Sequence, residues 1–193
     1  VYPSPNNLLI FADNHDIERM YPVQKSVENV KMALAFLCTT RGIPLFYYGT
    51  EALSDRGSLE GDAGKRKDFP GGWNGDKVNM FTGEGISKDQ KEVYNYMKTL
   101  LNWRNGSEVV QKGKLTHFIP EDGIYVYFRT LGDDQVMVLM NNNKKEKKVE
   151  TGRFGEKLQG YKRGTDAISG ATVRKLEKIE VEGKSVRIIE LSK

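Results

Sequence analysis

Asp13, Asn14, His15 and Asp16 stand together at the end of a short apolar run, Leu8-Leu9-Ile10-Phe11. An Asp beside a His suits a general acid or base, an electrostatic stabiliser, or an acceptor for sugar hydroxyls. A local reading competes, because Asp and Asn also favour Asx turns and helix N-caps. For any one of these residues the turn reading is the stronger; for four together at a strand end it is less comfortable. A second such place follows, where Gly42-Ile43-Pro44-Leu45-Phe46-Tyr47-Tyr48 runs into Gly49-Thr50-Glu51. Glu51 is either a functional carboxylate or an ion-pair partner beneath a site. Asp62 and Arg66 form either a solvated loop ion pair, worth little, or a polar clamp on a hydroxylated ligand, since Arg presents a rigid fork of donors. Trp73 and Phe69, in the same glycine-rich stretch, either stack on a sugar face or anchor the loop. Tyr47, Tyr48 and His117 read more simply as packing or surface residues.

The elements that must position these groups are legible. Leu8 to Phe11 reads as a strand. Ser26 to Thr40 reads as a helix, with Val27, Val30, Ala33, Leu34 and Leu37 at helical spacing. Gly42 and Pro44 stop it, and Leu45 to Tyr48 reads as a second strand. Apolar runs without alternation suit parallel strands covered on both faces, whose C-terminal ends carry active sites in barrel folds. The stretch from Ser54 to Thr82 is too long for a bare connection. Ser87-Lys88-Asp89-Gln90 matches a capping box, and the helix it opens carries Val93, Met97, Leu100 and Leu101 on one face. A domain boundary is expected between Arg104 and Lys112, dividing residues 1–106 from 107–193. Beyond it the period changes to two: Ile124, Val126 and Phe128 alternate with Tyr125, Tyr127 and Arg129, and a turn at Gly132-Asp133-Asp134 leads to a second alternating run. With Ser185 to Leu191 and further short strands between Leu158 and Glu182, this reads as a small antiparallel β-sandwich.

Composition excludes several classes. The chain has 193 residues, enough for one domain or two small ones. No apolar run reaches the ~20 residues of a membrane helix. The net charge of +4 is scattered among acids, so basicity alone supports nucleic-acid binding weakly. A single cysteine, Cys38, allows neither an internal disulfide nor a Cys-based zinc site. His15 and Asp16 lack a recognised metal-ligand spacing, and there is no phosphate loop and no Gly-x-Ser-x-Gly elbow. No cofactor is evident. Val1-Tyr2-Pro3-Ser4-Pro5 shows no signal-peptide pattern; it reads as an internal cut in a longer protein and leaves the compartment open, a periplasmic or extracytoplasmic setting suiting the parent.

Phe11-Ala12-Asp13-Asn14-His15-Asp16 resembles the motif that closes the seventh barrel strand of the α-amylase superfamily, glycoside hydrolase family 13. Gly42 to Glu51 resembles the eighth strand. His15-Asp16-Ile17-Glu18-Arg19, and Asp62 with Arg66 followed by Trp73, are similar to the neopullulanase and cyclomaltodextrinase branch, with Ala63 standing where that branch usually has Pro. The motif match covers roughly residues 8–73. The resemblance implies the last two βα units of a TIM (β/α)8 barrel followed by a C-terminal antiparallel β-sandwich, an α+β chain. It implies retaining chemistry on an α-glucan oligosaccharide, with no nucleic-acid or membrane partner, and admits calcium in the parent enzyme. Asp16 matches the third catalytic carboxylate. His15, Asn14, Arg19, Asp62, Arg66 and Trp73 are the residues implied to contact substrate. The nucleophile and the acid/base have no match in this chain. The alternative is a non-catalytic carbohydrate-binding or structural module, favoured if Tyr125 and Tyr127 form an exposed aromatic face.

Two strands cannot close a barrel, so an unpaired edge and an apolar face are left over. Residues 1–104 are expected to collapse onto the sandwich or to pair with a second copy through the barrel strands. Size-exclusion chromatography with light scattering decides: a homodimer supports pairing, and a monodisperse monomer with one sharp melting transition excludes it.

Overall fold

A computed structural model describes residues 2–193. The chain opens with a parallel pair, β1 (Leu9–Ile10) beside β2 (Ile43–Pro44), connected through two helices, α1 (Met20–Gln24) and α2 (Val27–Thr39). α2 begins where Ser26 Oγ accepts the Asn29 N–H at 3.0 Å, which satisfies one of the free donors of the first turn. Val30, Leu34, Ala35 and Cys38 form its fully buried stripe, as a 3.6-residue period requires. The second strand lies earlier than its apolar run predicts: Ile43 and Pro44 pair, and the Leu45 N–H closes the ladder on the Ile10 carbonyl at 2.8 Å. Gly42 is the reason. Its φ is +114°, and a Cβ there would stand 2.9 Å from the Leu8 carbonyl oxygen, so only glycine lets the chain draw alongside β1 at that point. Leu45 to Tyr48 is therefore not a strand, and the chain turns back on itself from Tyr47 to Leu53.

A single helical turn, α3 (Gly61–Lys65), interrupts the long loop that follows. α4 (Lys88–Gly106) starts with the expected capping box: Ser87 Oγ accepts the Gln90 N–H at 3.1 Å and Gln90 Oε1 accepts the Ser87 N–H at 2.9 Å. A short α5 (Glu108–Lys112) leads into the second half.

That half contains β3 (Lys114–His117), β4 (Ile124–Leu131), β5 (Asp134–Asn141), β6 (Lys147–Glu150), α6 (Gly155–Leu158), β7 (Arg163–Asp166), β8 (Thr172–Val173), β9 (Lys178–Val181) and β10 (Ser185–Ser192). A six-stranded sheet runs β3-β4-β5-β10-β7-β8, and β6 pairs with β9 in a separate two-stranded sheet. Within the larger sheet every pairing is antiparallel, with Tyr127 opposite Val138 and Val138 opposite Ile188. Both of its faces are covered. On one, Val126, Phe128, Met137, Leu139 and Ile189 pack against Val149, Ile179 and Val181 of the small sheet, which is the sandwich the alternation predicts. On the other, Tyr127, Val136, Val138 and Ile188 share a core with Leu34, Val93, Leu100 and Val110 of the helices.

This second covering makes packing residues of Tyr125 and Tyr127, and they form no exposed aromatic face. Tyr127 is fully buried, its hydroxyl hydrogen-bonded to Thr39 Oγ1, and Tyr125 is packed against the same helix-side core. His117 ends β3 and meets Tyr125 edge-on at 6.3 Å between centroids. The 106/107 boundary falls in the joint between α4 and α5, and the helix-side core spans it.

Two arginines close the seam. Arg129, 1 % exposed, donates to the carbonyls of Thr39, Thr40 and Gly113. Arg104 donates to those of Cys38, Gly42 and Val110. The last carbonyls of a helix lack intrahelical donors, and a cation complements the negative end of its dipole. Burial, with Arg104 nearby adding to it, brings the Arg129 guanidinium down to about 10. Leu34 sits at the centre of this seam at 0 % exposure. Leu34→Ala is expected to cost about 2–5 kcal/mol, the range for a buried methylene-rich side chain. Because its core includes helix and sheet residues, far-ultraviolet helix signal and near-ultraviolet tyrosine signal should fall in one denaturant transition; two separated transitions would overturn the shared core.

Candidate functional site

The polar residues after β1 and after β2 are knotted together by Asp13. Its carboxylate, 2 % exposed, accepts the Met20 N–H at 2.9 Å and the Thr50 hydroxyl at 3.1 Å, and stands 3.4 Å from Arg19 Nε. Arg19 lies over the Tyr47 ring at 4.5 Å and donates to the Tyr48 carbonyl. Gly49 makes room beside it: its φ is +84°, and a Cβ there would collide with the Ser54 hydroxyl and press to 3.3 Å from Arg19 Nη2. One buried ion pair thus joins the loop after β1 to the turn after β2. This corrects the expectation that Arg19 contacts substrate, because at 1 % exposure its donors face Asp13 and Tyr48 and not solvent.

Above this knot Asn14 folds an Asx turn, its Oδ1 accepting the N–H groups of Asp16 and Ile17 at 2.8 and 3.1 Å. The turn occupies the Asn14 oxygen and leaves its amide nitrogen for any ligand. It also pushes His15 and Asp16 outward, their side chains 58 % and 65 % exposed and 3.3 Å apart. The loop carrying α3 then straps itself over them. Lys65 Nζ donates to the Asp16 carbonyl at 2.8 Å, Arg66 Nε to the His15 carbonyl at 3.3 Å, and Arg66 Nη2 reaches Asp16 Oδ1 at 3.3 Å. Asp62 lies 3.2 Å from Lys65 and 3.7 Å from Arg66, and the Lys65 hydrogen bond holds its carboxyl below the usual range. A second strap runs from Arg56 to the Glu18 carboxylate.

Asp16, His15, Asp62 and Arg66 are therefore brought together; Trp73 and Glu51 are not. Trp73 lines a neighbouring cleft with Phe69 and Pro70, and half-buried Glu51 lines another with Tyr94 and Lys98. Asp13, Lys65 and the Arg56–Glu18 strap were absent from the predicted site. Lys65 had a signal in its spacing, three residues after Asp62 on one helical turn; Arg56 and Glu18 are too distant in sequence to have one. The assembled cluster offers an accessible carboxylate flanked by an imidazole and a guanidinium. That set can accept and donate hydrogen bonds to adjacent hydroxyls and stabilise developing positive charge. Among the described residues, no group of three or more His, Cys, Asp or Glu side chains could hold a metal ion, and no helix is long and apolar enough to cross a membrane.

Burial separates the roles of the two aspartates. Asp13→Ala leaves a buried guanidinium without its counter-charge and is expected to cost about 3–5 kcal/mol. Asp16→Ala removes only exposed pairs and should stay within about 0.5 kcal/mol of the parent. Urea midpoints of the two variants check this; equal midpoints would show that the Asp13–Arg19 knot does not hold the loops.

Known proteins match this architecture. Residues 115–190 fit the family described as Cyclo-malto-dextrinase C-terminal domain. The chain is 30% identical over 138 residues to a cyclomaltodextrin glucanotransferase of Paenibacillus macerans, covering 72% of this chain and 17% of that protein. It is 31% identical over 140 residues to the enzyme of the same name from Thermoanaerobacterium thermosulfurigenes, again covering 72% of this chain and 17% of that protein. The chain thus spans about a sixth of the length of these curated relatives. Its fold superposes with a TM-score of 0.78 on a solved α-amylase from Geobacillus thermoleovorans complexed with acarbose, at 22% identity, covering 100% of this chain and 40% of that one. A domain match over the second half, sequence relatives across most of the chain and one shared fold over all of it agree: residues 115–190 match the cyclomaltodextrinase C-terminal domain, and the chain as a whole is similar to cyclomaltodextrin glucanotransferases and shares its fold with α-amylases.

Proposed function

We propose that this chain is the C-terminal part of a retaining glycosidase that cleaves α-1,4 bonds in α-glucans, of the neopullulanase and cyclomaltodextrinase type. The observation that carries the reading is the exposed Asp16 carboxylate, held between His15 and Arg66 beyond the ends of two parallel strands. In this reading β1 with α2 and β2 with α4, together with their loops, are the last two βα units of a TIM barrel. Residues 107–193 are its terminal β-domain. Asp16 stabilises the oxocarbenium-like state, and His15, Asp62, Arg66 and the Asn14 amide grip sugar hydroxyls. Arg19 and Asp13 hold these groups in place from below.

The nucleophile and the acid/base come from elsewhere in the protein, standing roughly 5–5.5 Å apart across the scissile bond as retention requires. The relatives named glucanotransferases support a second fate for the same intermediate, transfer to a sugar hydroxyl in place of water.

Catalytic carboxylates act as a unit, and a lone stabiliser has nothing to stabilise. The chain by itself is therefore expected to release no reducing ends from pullulan, starch or cyclodextrins. In the full-length protein that carries it, Asp16→Asn should lower kcat by about 10²–10³, the cost of losing one preorganised electrostatic contact, with an unchanged melting temperature. Turnover by the isolated chain, or an unchanged kcat in the full-length variant, would sink the assignment.

A further inference from the structure

Two Asn-Gly pairs stand in the chain, Asn74-Gly75 and Asn105-Gly106. Such a pair carries a reaction of its own. The backbone nitrogen of the glycine can attack the side-chain amide carbon of the asparagine, because no glycine side chain shields that nitrogen. Ring closure requires the peptide between the two residues to swing out of any hydrogen-bonded geometry that holds it. The two pairs are alike in sequence and both are exposed, so exposure does not tell them apart; the backbone does. Asn105-Gly106 lies in the last turn of α4, where N–H groups are drawn into the helical ladder. Its peptide is also held from the carbonyl side: Gln111 Nε2 donates to the Asn105 carbonyl at 3.1 Å and to the Arg104 carbonyl at 2.7 Å. The attacking nitrogen there cannot turn without breaking these contacts.

Asn74-Gly75 forms the tip of a turn between α3 and α4, closed by the Asp76 N–H on the Trp73 carbonyl at 3.3 Å. Asp76 Oδ2 anchors the residues before the tip through the N–H groups of Gly71 and Trp73. The tip itself is left free: among the described residues, no hydrogen bond holds the Gly75 N–H or the Asn74 side chain. Gly75 has φ at +95°, and a Cβ there would meet nothing within 4 Å. The peptide between the two residues therefore has open space in which to turn.

We propose that Asn74 is a site of spontaneous self-modification, converting through a succinimide to aspartate and isoaspartate in the folded chain, while Asn105 is protected by the end of α4. Hydroxide takes the Gly75 amide proton and the nitrogen bonds to Asn74 Cγ. The Cγ–Nδ2 bond breaks, and Nδ2 leaves as ammonia with a proton from water, which restores the hydroxide. Water then opens the ring at either carbonyl. Both products place a carboxylate beside Asp76 and take one unit from the net charge of +4. The isoaspartyl product also routes the main chain through a methylene, which lengthens the link from Trp73 to Asp76 and opens the turn.

The purified chain, held in mildly alkaline buffer, is mapped over time by proteolysis and mass spectrometry, with aspartyl and isoaspartyl peptides separated by chromatography. Native chain is expected to convert at Asn74 at least about tenfold faster than at Asn105, where reaction must wait for local opening of the helix end. In urea, where both peptides are free, the two rates should converge. Asn74→Gln should abolish the native reaction and Asn105→Gln should leave it unchanged, both with the melting temperature of the parent. Equal native rates at the two pairs, faster conversion at Asn105, or no native conversion at Asn74 overturns the proposal. A difference that persists in urea would assign the selectivity to local sequence and overturn the protection by α4.

Discussion

Tyr127 and Arg129 reach out of the larger sheet to the C-terminal end of α2, and the rest of the chain is arranged around that contact. A helix end inside a protein leaves carbonyls without donors; here Arg129 and Arg104 supply them from two different elements. The apolar residues around this polar seam come from α2, α4, α5 and three strands of the sheet. Buried carbonyls without partners would be costly, so the helices cannot leave the sheet without exposing both the apolar core and the polar seam at once.

The seam sets the position of the chemistry at a distance. With the end of α2 held, the short link through Gly42 places β2 beside β1. The residues that leave those strands then meet at Asp13, Arg19 and Thr50. Rigid support lies below and exposed groups lie above. Asp13 and Arg19 are sealed from water, whereas Asp16, Asp62 and Arg66 pair with one another in the open. Such exposed pairs add little to stability, which leaves those side chains free to exchange partners with a ligand at low cost. A site built this way keeps its geometry in the backbone and its adaptability in the side chains.

In the proposed reading the strand-end cluster faces sugar, and its chemistry needs two further carboxylates that no residue of this chain matches. The loop that continues from Arg66 is held by its own side chains: Asp76 accepts the Gly71 and Trp73 N–H groups, and Asn79 those of Phe81 and Thr82. Backbone geometry there is thus set locally, as it is at the Asn14 turn.

The two long helices, the capping box at Ser87, the hairpin at Gly132 and the polar cluster at Asp13 to Asp16 were legible in the chain, because each is set by neighbours a few residues apart; the four short helices were not. The Asx turn at Asn14 was also local, and the competing reading anticipated it. The second strand was misplaced because its apolar run says nothing about where glycine permits close approach. The packing of Tyr125 and Tyr127 was the stronger reading, but a two-residue period tells which side chains share a face and not what covers it. Likewise, the resemblance implied Arg19 as a ligand contact, and burial against Asp13 gives it a supporting position. Short-range hydrogen bonding and periodicity thus decide the elements and the motif. Contacts between residues far apart in sequence, which no local signal encodes, decide which charged groups are buried and which face solvent.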